Sequence, residues 1–577
     1  MSLSAPAASQ LKPTANAPIR RIYDKQVALF VFLISLLSLL PTLGATPIID
    51  PSDGFFAESA REMLERKDFI APTLNYVPYN DKPILTHWLI AFSYALFGVS
   101  EFTSRLPSAF CASLLCLATF FIARRYLSLR AAWFAGLILI SSYLFSILAR
   151  VSLTDMPLAL FVNLGMFALF VYWKERSKKS LLLGWTGLGL AFLTKGPISL
   201  LITFGSFFIF FLASEKRFAP AQAIKNLSTF KSWKGILIAA VIAVPWFVAV
   251  GIATHGQYLK DFFWVQNLQR AAGTIPNNHA QPFWFYIPII AVSFFPWSAF
   301  ATFMLPIFSR WWKARTSEST RCKFLLYCTA ICFTIFTGFS SLAGKLPTYM
   351  VPLYPAAAIL TAAALDTAIR LKRPKFLIAG CAITVLTSLL ALPRLIHDLH
   401  ADTSSQVSTI YWIFGAYAVL ATMLAISIVS KRFVKQATQF LIIGCAVLSA
   451  FLVPFLFAQF YEYHQRDYAE LLKIAISRKP ESISEVWCSQ PSASFYARHR
   501  VPNLQTYYDY AATLAFPGEH IVLYHDEFEN FVAMAPIRKV LAVRGEWHLE
   551  SVADPQQQLL NKYSCVQSTN LLSNPAK

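Results

Sequence analysis

Long apolar runs separated by short polar breaks set the pattern of this chain. Residues 27–40, 235–251, 376–392 and 441–457 are nearly unbroken hydrophobic stretches. Each approaches the roughly 20 residues that a helix needs to cross a bilayer once its flanks are counted. Helices apolar all round belong in lipid or in a large core, and so many of them predict an all-α polytopic membrane protein. The pattern predicts about thirteen spans of that length. Their centres lie near Leu36, Cys116, Ile138, Leu164, Leu188, Phe207, Val241, Val292, Phe333, Ala358, Val385, Val419 and Leu448. The fifth, around residues 185–193, is the weakest and is rich in Gly.

The 577 residues are 56% hydrophobic and 14% charged, with a formal net charge of +20. Such a balance raises nucleic acid as a partner, but its distribution points elsewhere. Basic clusters such as Arg124/Arg125/Arg130, Lys174/Arg176/Lys178/Lys179 and Arg370/Lys372/Arg373/Lys375 fall on every second loop. That alternation is the positive-inside pattern of cytoplasmic loops, and it predicts no nucleic-acid partner. The N-terminus is then cytoplasmic, and an odd number of spans puts the C-terminal tail outside. The first run follows a long n-region and lacks a small-x-small cleavage site followed by soluble sequence, so it reads as a retained start-transfer helix.

This division gives a cytoplasmic N-terminal segment at 1–26, a transmembrane domain at 27–459 with a first outer loop at 46–87, and an extracytoplasmic domain at 460–577. In the last of these, 484–487 and 520–524 have the β-rich look of short strands and 468–476 that of a helix. The length suits one small α/β domain. Cys488 and Cys565 are its only cysteines. They can pair in an oxidising compartment or remain separate buried thiols. The other seven lack metal-ligand spacing and read as small core residues.

The outer breaks carry the chemistry. The first loop runs Asp50-Pro51-Ser52-Asp53-Gly54-Phe55-Phe56-Ala57-Glu58. Asp50 and Asp53 suit helix capping and equally suit catalysis. The helix expected at 54–67 is amphipathic and is predicted to lie on the membrane surface. The loop ends Tyr79-Asn80-Asp81-Lys82-Pro83, where a Lys before Pro, beside Tyr and Asp, is a candidate point charge for phosphate. Asp155 stands at the mouth of a span, where an acid is expensive and a functional candidate by default; pairing with Arg150 is the structural alternative. Lys195 occupies a tight turn, Arg270 follows a run of amides that includes Gln266, and Lys345 precedes Tyr349. Cations gathered at the outer boundary can hold an anionic lipid headgroup, because Coulomb attraction strengthens as water is excluded. Carboxylates among them can orient or deprotonate an acceptor.

These motifs resemble the bacterial dolichyl-phosphate-mannose-protein mannosyltransferase superfamily, and within it the lipid A aminoarabinose transferases. The family's acidic pair before a Tyr-Ala-Glu helix appears as Asp53-Gly-Phe-Phe-Ala-Glu, and its Tyr-x-Glu-Lys-Pro as Tyr79-Asn80-Asp81-Lys82-Pro83. Phe97-Gly98-Val99-Ser100-Glu101, Arg105-Leu106-Pro107, Leu153-Thr154-Asp155-Met156-Pro157, Thr194-Lys195-Gly196-Pro197 and 345–352 also match, in order. The match covers about residues 27–360 and is specific as a set.

The resemblance implies a GT-C-like glycosyltransferase in a bacterial inner membrane, with its active site facing outward. It implies sugar transfer, with inversion, from a polyprenyl phosphate donor to an envelope acceptor, lipid A or a related glycolipid. No cofactor is required by that chemistry, and a divalent metal stays open. Lys82, Lys195, Arg270 and Lys345 would hold phosphates, Tyr79, Asp81 and Tyr349 would help position them, and Asp53 and Asp155 would act on the acceptor. Ser52 stands at the family's leading acid, which keeps Asp50 in reserve. Gln266 stands where aminoarabinose transferases often carry His, which weakens a metal site built there.

Protein or glycan acceptors remain open beside the glycolipid, as in a protein O-mannosyltransferase-like enzyme or a polysaccharide glycosyltransferase. A transporter of lipid-linked anions is the competing class, and it would carry repeat symmetry and helices broken at the midplane. No repeat is visible. A non-catalytic envelope assembly protein would not need the acid-plus-cation set.

Overall fold

The computed structural model describes residues 17–215, 219–274, 280–301, 305–371, 378–383, 386, 434–478, 482–486, 490–514, 520–535 and 537–553. The expected spans near Val385 and Val419, together with Lys372, Cys488 and Cys565, lie outside the described residues. Among those described, seven helices are long and apolar enough to cross a membrane: Ile22–Thr42, Glu101–Tyr126, Asp155–Glu175, Trp233–Ala253, Thr320–Ser341, Pro347–Arg370 and Thr438–Leu456. Shorter apolar helices at Leu85–Phe97, Leu129–Ile140, Ile198–Ser214 and Phe283–Ser293 fill the gaps between them.

The Gly-rich fifth run forms helix Lys178–Lys195. A Cβ at Gly187 would lie 2.8 Å from both Gly165 N and Phe161 O. This helix and Asp155–Glu175 therefore meet backbone to backbone, the close approach that small residues permit in membranes. Its weak hydropathy reflects packing against protein rather than lipid. By contrast, Val241, Val244, Val248 and Ile252 on helix Trp233–Ala253 are exposed, as a lipid-facing side should be.

The first outer loop folds differently from its expectation. Its helix spans Ser52–Arg66 and ends at Lys67, which takes the left-handed conformation. It does not lie as an amphipathic helix on the surface. Ala57 through Met63 are buried, Glu58, Arg61 and Glu62 among them. Arg61 donates to Glu58 from Nε at 2.7 Å and from Nη2 at 2.8 Å, and Tyr76 N donates to Glu62 at 3.0 Å. Burial of this polar face is possible because the loop supplies its own partners. A two-stranded ribbon, β1 (Thr73–Leu74) and β2 (Val77–Pro78), closes over it.

After the long helix Val434–His464 comes helix Arg466–Arg478 and a five-stranded sheet. Its strands are β3 (Ile483–Val486), β4 (Asn503–Leu504), β5 (His520–His525), β6 (Ile537–Arg544) and β7 (Trp547–Ala553), in the order β4-β3-β5-β7-β6. β3 pairs parallel with β4 and β5, while β7 runs antiparallel to β5 and β6. The sheet domain clasps the first loop. Asn75 Nδ2 donates to Val501 O at 2.5 Å and its Oδ1 accepts from Val501 N at 3.0 Å. Tyr496 Oη accepts from Ile48 N and donates to Glu101, both at 2.9 Å.

Candidate active site

All five outer breaks meet at one cavity of about 470 Å³. The first loop contributes Pro51, Ser52, Phe55 and Phe56 from the start of its helix, and Tyr79, Asp81 and Lys82 from its end. Leu153, Thr154 and Asp155 come from the second break, Lys195 and Arg270 from the next two, and 344–349 from the last.

Two ionic centres organise the wall. In the first, Lys82 Nζ lies 2.7 Å from Asp81 Oδ2, and Arg270 Nη1 lies 3.7 Å from Asp81 Oδ1. Tyr79 Oη donates to Asp81 Oδ2 at 3.4 Å. Burial alone would raise the Asp81 carboxyl, but Lys82 and Arg270 hold it below the usual carboxylate range. Burial pushes Lys82 down against the pull of Asp81, and the neighbouring Arg270 and Lys195 charges add to the fall. The Tyr79 phenol is raised by burial and by Asp81, so it stays protonated as a donor. Lys82 is held from behind by Tyr258, whose Oη donates to Lys82 O at 2.6 Å.

In the second centre, Lys195 Nζ lies 2.9 Å from Asp155 Oδ1 and 4.9 Å from the ring centroid of Tyr349. The ammonium is thus shared between a carboxylate and an aromatic face. Asp155 begins helix Asp155–Glu175, and Lys195 ends helix Lys178–Lys195. The close Gly-mediated packing of these two helices is what brings the pair together.

Lys345 lines the same cavity, but its ammonium is engaged by the backbone. It donates to Gln281 O at 2.6 Å, Leu342 O at 2.5 Å and Ala343 O at 3.5 Å. Its position ties the last break to residue 281.

Two of the three expected carboxylates are not on the cavity wall. Asp53 is buried with Arg105, whose Nη2 lies 2.5 Å from Asp53 Oδ2 and whose Nε donates to it at 3.0 Å. Its other oxygen accepts from Ser152 N at 2.7 Å. Asp53 therefore pins the first loop to the second break, just behind the wall that Ser52 and Asp155 form. Asp50 turns to the sheet domain, accepting from Ser492 N at 3.0 Å, from Ser492 Oγ and from Gln465 Nε2 at 3.0 Å. Burial, then the nearby Asp53 charge, lifts its carboxyl to about 7 against those hydrogen bonds.

Arg105 stands in the Arg105-Leu106-Pro107 motif. An Arg inside an apolar helix is costly enough to signal a partner. It also donates to Leu43 O, Thr46 O and Pro47 O at 2.8, 2.7 and 2.7 Å. Arg150 does not pair with Asp155; it donates to Ser38 O, Thr42 Oγ1 and Ser146 instead. Among the described residues no group of three or more His, Cys, Asp and Glu is placed to hold a metal ion.

Residues 81–249 match the dolichyl-phosphate-mannose-protein mannosyltransferase family. The chain is 30% identical over 437 residues to an undecaprenyl phosphate-α-4-amino-4-deoxy-L-arabinose arabinosyl transferase of Pectobacterium carotovorum, covering 73% of this chain and 74% of that one. It is 32% identical over 361 residues to a second such transferase from Proteus mirabilis, covering 61% and 62%. The crystal structure of ArnT from Cupriavidus metallidurans bound to undecaprenyl phosphate superposes with a TM-score of 0.73 at 21% identity, covering 94% of this chain and all of that one. Helices spanning the membrane, an ion-lined cavity at one end and a small sheet domain above it define an integral membrane glycosyltransferase of the GT-C fold. Within that class the chain belongs to the undecaprenyl phosphate-α-4-amino-4-deoxy-L-arabinose arabinosyl transferase family.

Proposed function

We propose that this protein transfers 4-amino-4-deoxy-L-arabinose from undecaprenyl phosphate to a lipid A-type glycolipid on the outer face of the bacterial inner membrane. The observation that carries the reading is the charge of the cavity. Lys82, Lys195, Arg270 and Lys345 face two carboxylates, Asp81 and Asp155, which leaves two positive charges in excess.

That excess suits the reaction. A sugar phosphodiester carries one negative charge. As the acceptor oxygen attacks the anomeric carbon from the side opposite the phosphate, the carbon–oxygen bond to phosphate breaks and its electrons pass to the leaving group. The phosphate departs with a second negative charge. A cavity two charges positive binds that developing dianion better than the ground state, which is what accelerates the step. Lys82 and Arg270 are the phosphate holders in this reading. Asp155 faces the acceptor, taking its hydrogen bond and, for a hydroxyl, its proton. Lys195 holds Asp155 in place. Asp53 acts as a positioning residue, through Ser152 and the break that carries Asp155.

The outward orientation rests on the charge alternation. Arg124 and Arg125 end the helix whose first turns carry Glu101 and Arg105. The basic end is therefore opposite the end that approaches the cavity. Cysteine labelling in intact cells tests this: Lys345→Cys should be shielded from cytoplasmic reagents, and outer labelling of Lys313→Cys would overturn the orientation. The activity is tested with purified protein, radiolabelled undecaprenyl phosphate aminoarabinose and lipid A. Label should move to lipid A. Transfer to a protein or polysaccharide acceptor instead would replace this reading.

A further inference from the structure

At the end of the bundle opposite the cavity, three guanidinium groups from three helices gather around one carboxylate. Asp366 lies near the end of helix Tyr354–Arg370, with its side chain 1% exposed. Its Oδ1 accepts from Arg130 Nε at 2.6 Å, and its Oδ2 lies 2.7 Å from Arg370 Nη2 and accepts from Ser128 Oγ at 3.0 Å. Arg321, in the first turn of helix Thr320–Ser341, donates from Nη2 to Thr367 Oγ1 at 3.2 Å. It interacts electrostatically with both Arg370 and Asp366. Ser128 is the cap of helix Leu129–Ile140. All the participants therefore sit at helix ends, where spans meet the headgroup layer.

One carboxylate against three guanidiniums leaves two positive charges in excess. Arg124 and Arg125, by contrast, are each matched by one carboxylate: Arg124 with Asp24 at 3.0 Å, and Arg125 with Glu175. Topology needs basic residues on this side, but it does not need them brought together, where they repel. Each guanidinium presents five N–H donors in a planar fork. Among the described residues, Arg130, Arg321 and Arg370 each commit a single nitrogen. The Arg130 and Arg370 side chains are 21% and 48% exposed, so their remaining donors are reachable from the membrane surface.

We propose that this cluster binds the phosphate of an anionic phospholipid headgroup, with Arg130, Arg321 and Arg370 as donors and Asp366 as the residue that holds two of them in place. A phosphodiester supplies two unesterified oxygens for the forks and one negative charge against the excess. A zwitterionic headgroup brings its own ammonium and is a poorer match. Basic pockets between transmembrane helices select acidic lipids on these grounds.

The test uses the delipidated full chain titrated with phosphatidylglycerol and phosphatidylethanolamine of the same acyl chains, read by native mass spectrometry and thermal shift. Phosphatidylglycerol should be retained preferentially and should raise the melting temperature. Arg321→Gln should cut that retention about tenfold, as loss of one charge-assisted bond implies. Arg321→Lys, which keeps charge but not the fork, should fall between. Arg321→Gln should keep the lipid-free melting temperature, which separates lost binding from lost folding. Equal retention of the two lipids, or wild-type retention by Arg321→Gln, would overturn the proposal. Displacement of the lipid by millimolar inorganic phosphate, with the same thermal gain, would assign the cluster to a soluble anion and overturn it as a lipid site.

Discussion

Asp53 and Arg105 form a buried ion pair, 2.5 Å apart with both side chains 1% exposed, and through it the first outer loop is locked to a transmembrane helix. Removing one partner of such a pair leaves an uncompensated buried charge and costs about 3–5 kcal/mol. Asp53→Asn and Arg105→Leu should therefore each lower folded yield and melting temperature in detergent. If Asp53→Asn folds with wild-type stability and is nonetheless inactive, Asp53 acts on substrate and not on position.

Lys82 and Arg270 flank Asp81 on the cavity wall. Lys82→Ala and Arg270→Lys should each weaken donor binding by roughly tenfold or more, since charge-assisted bonds are typically worth about 1.5–3 kcal/mol. The Lys substitution keeps the charge but loses the planar fork. Binding of undecaprenyl phosphate to purified variants checks this, and unchanged affinity in both removes these residues from the donor site.

The Asp155–Lys195 pair separates turnover from binding. Asp155→Asn should lower kcat about 100-fold, the lower end of what a placed acid–base group contributes, with donor affinity close to wild type. Lys195→Met should lower kcat as well, by leaving Asp155 without its holder. Near wild-type turnover in Asp155→Asn at equal folded yield would defeat the mechanism.

The contact between the first loop and the sheet domain should depend on pH. Burial raises the Asp50 carboxyl to about 7 and that of Glu485 to about 8. The Asp53 charge adds to the rise at Asp50 and the Asp50 charge to that at Glu485, while hydrogen bonds from Ser492 and Gln465 oppose the first and those from Tyr468 and Gln490 the second. Unfolded carboxyls titrate near 4. The folded protein thus binds more protons than the unfolded chain from about pH 4 up to 7 or 8, and stability falls as pH rises through that window. The melting temperature should be higher at pH 5.5 than at pH 8.5. Asp50→Asn should flatten the profile and raise the pH 8.5 value; an unaltered slope in this variant argues against the assignment.

Chelation should leave turnover unchanged, since the proposed step uses only charged side chains and a leaving phosphate. Loss of activity on EDTA treatment, restored by a divalent ion, would require a metal.

The membrane class and the places of seven spans among the described residues were legible in the one-dimensional pattern. Apolar length is a local property, and bilayer thickness converts it directly into helices. The candidate site was legible as a set of residue types: Tyr79, Asp81, Lys82, Asp155, Lys195, Arg270, Lys345 and Tyr349 all line the cavity. What each does was decided by tertiary structure. Asp53 and Asp155 read alike along the chain, but Arg105, 52 residues away, buries the first, while Lys195 meets the second at the cavity. Asp50 suited a cap or a reserve catalytic acid and is instead held by Ser492, 442 residues away. The Ser52–Arg66 helix carries a surface pattern yet is buried, because the rest of its own loop supplies the partners its charges need. Lys345 has the sequence of a free cation and is held by three carbonyls. A side chain's charge is set by its sequence, but the role of that charge depends on which groups face it, and those contacts exist only once the chain has folded.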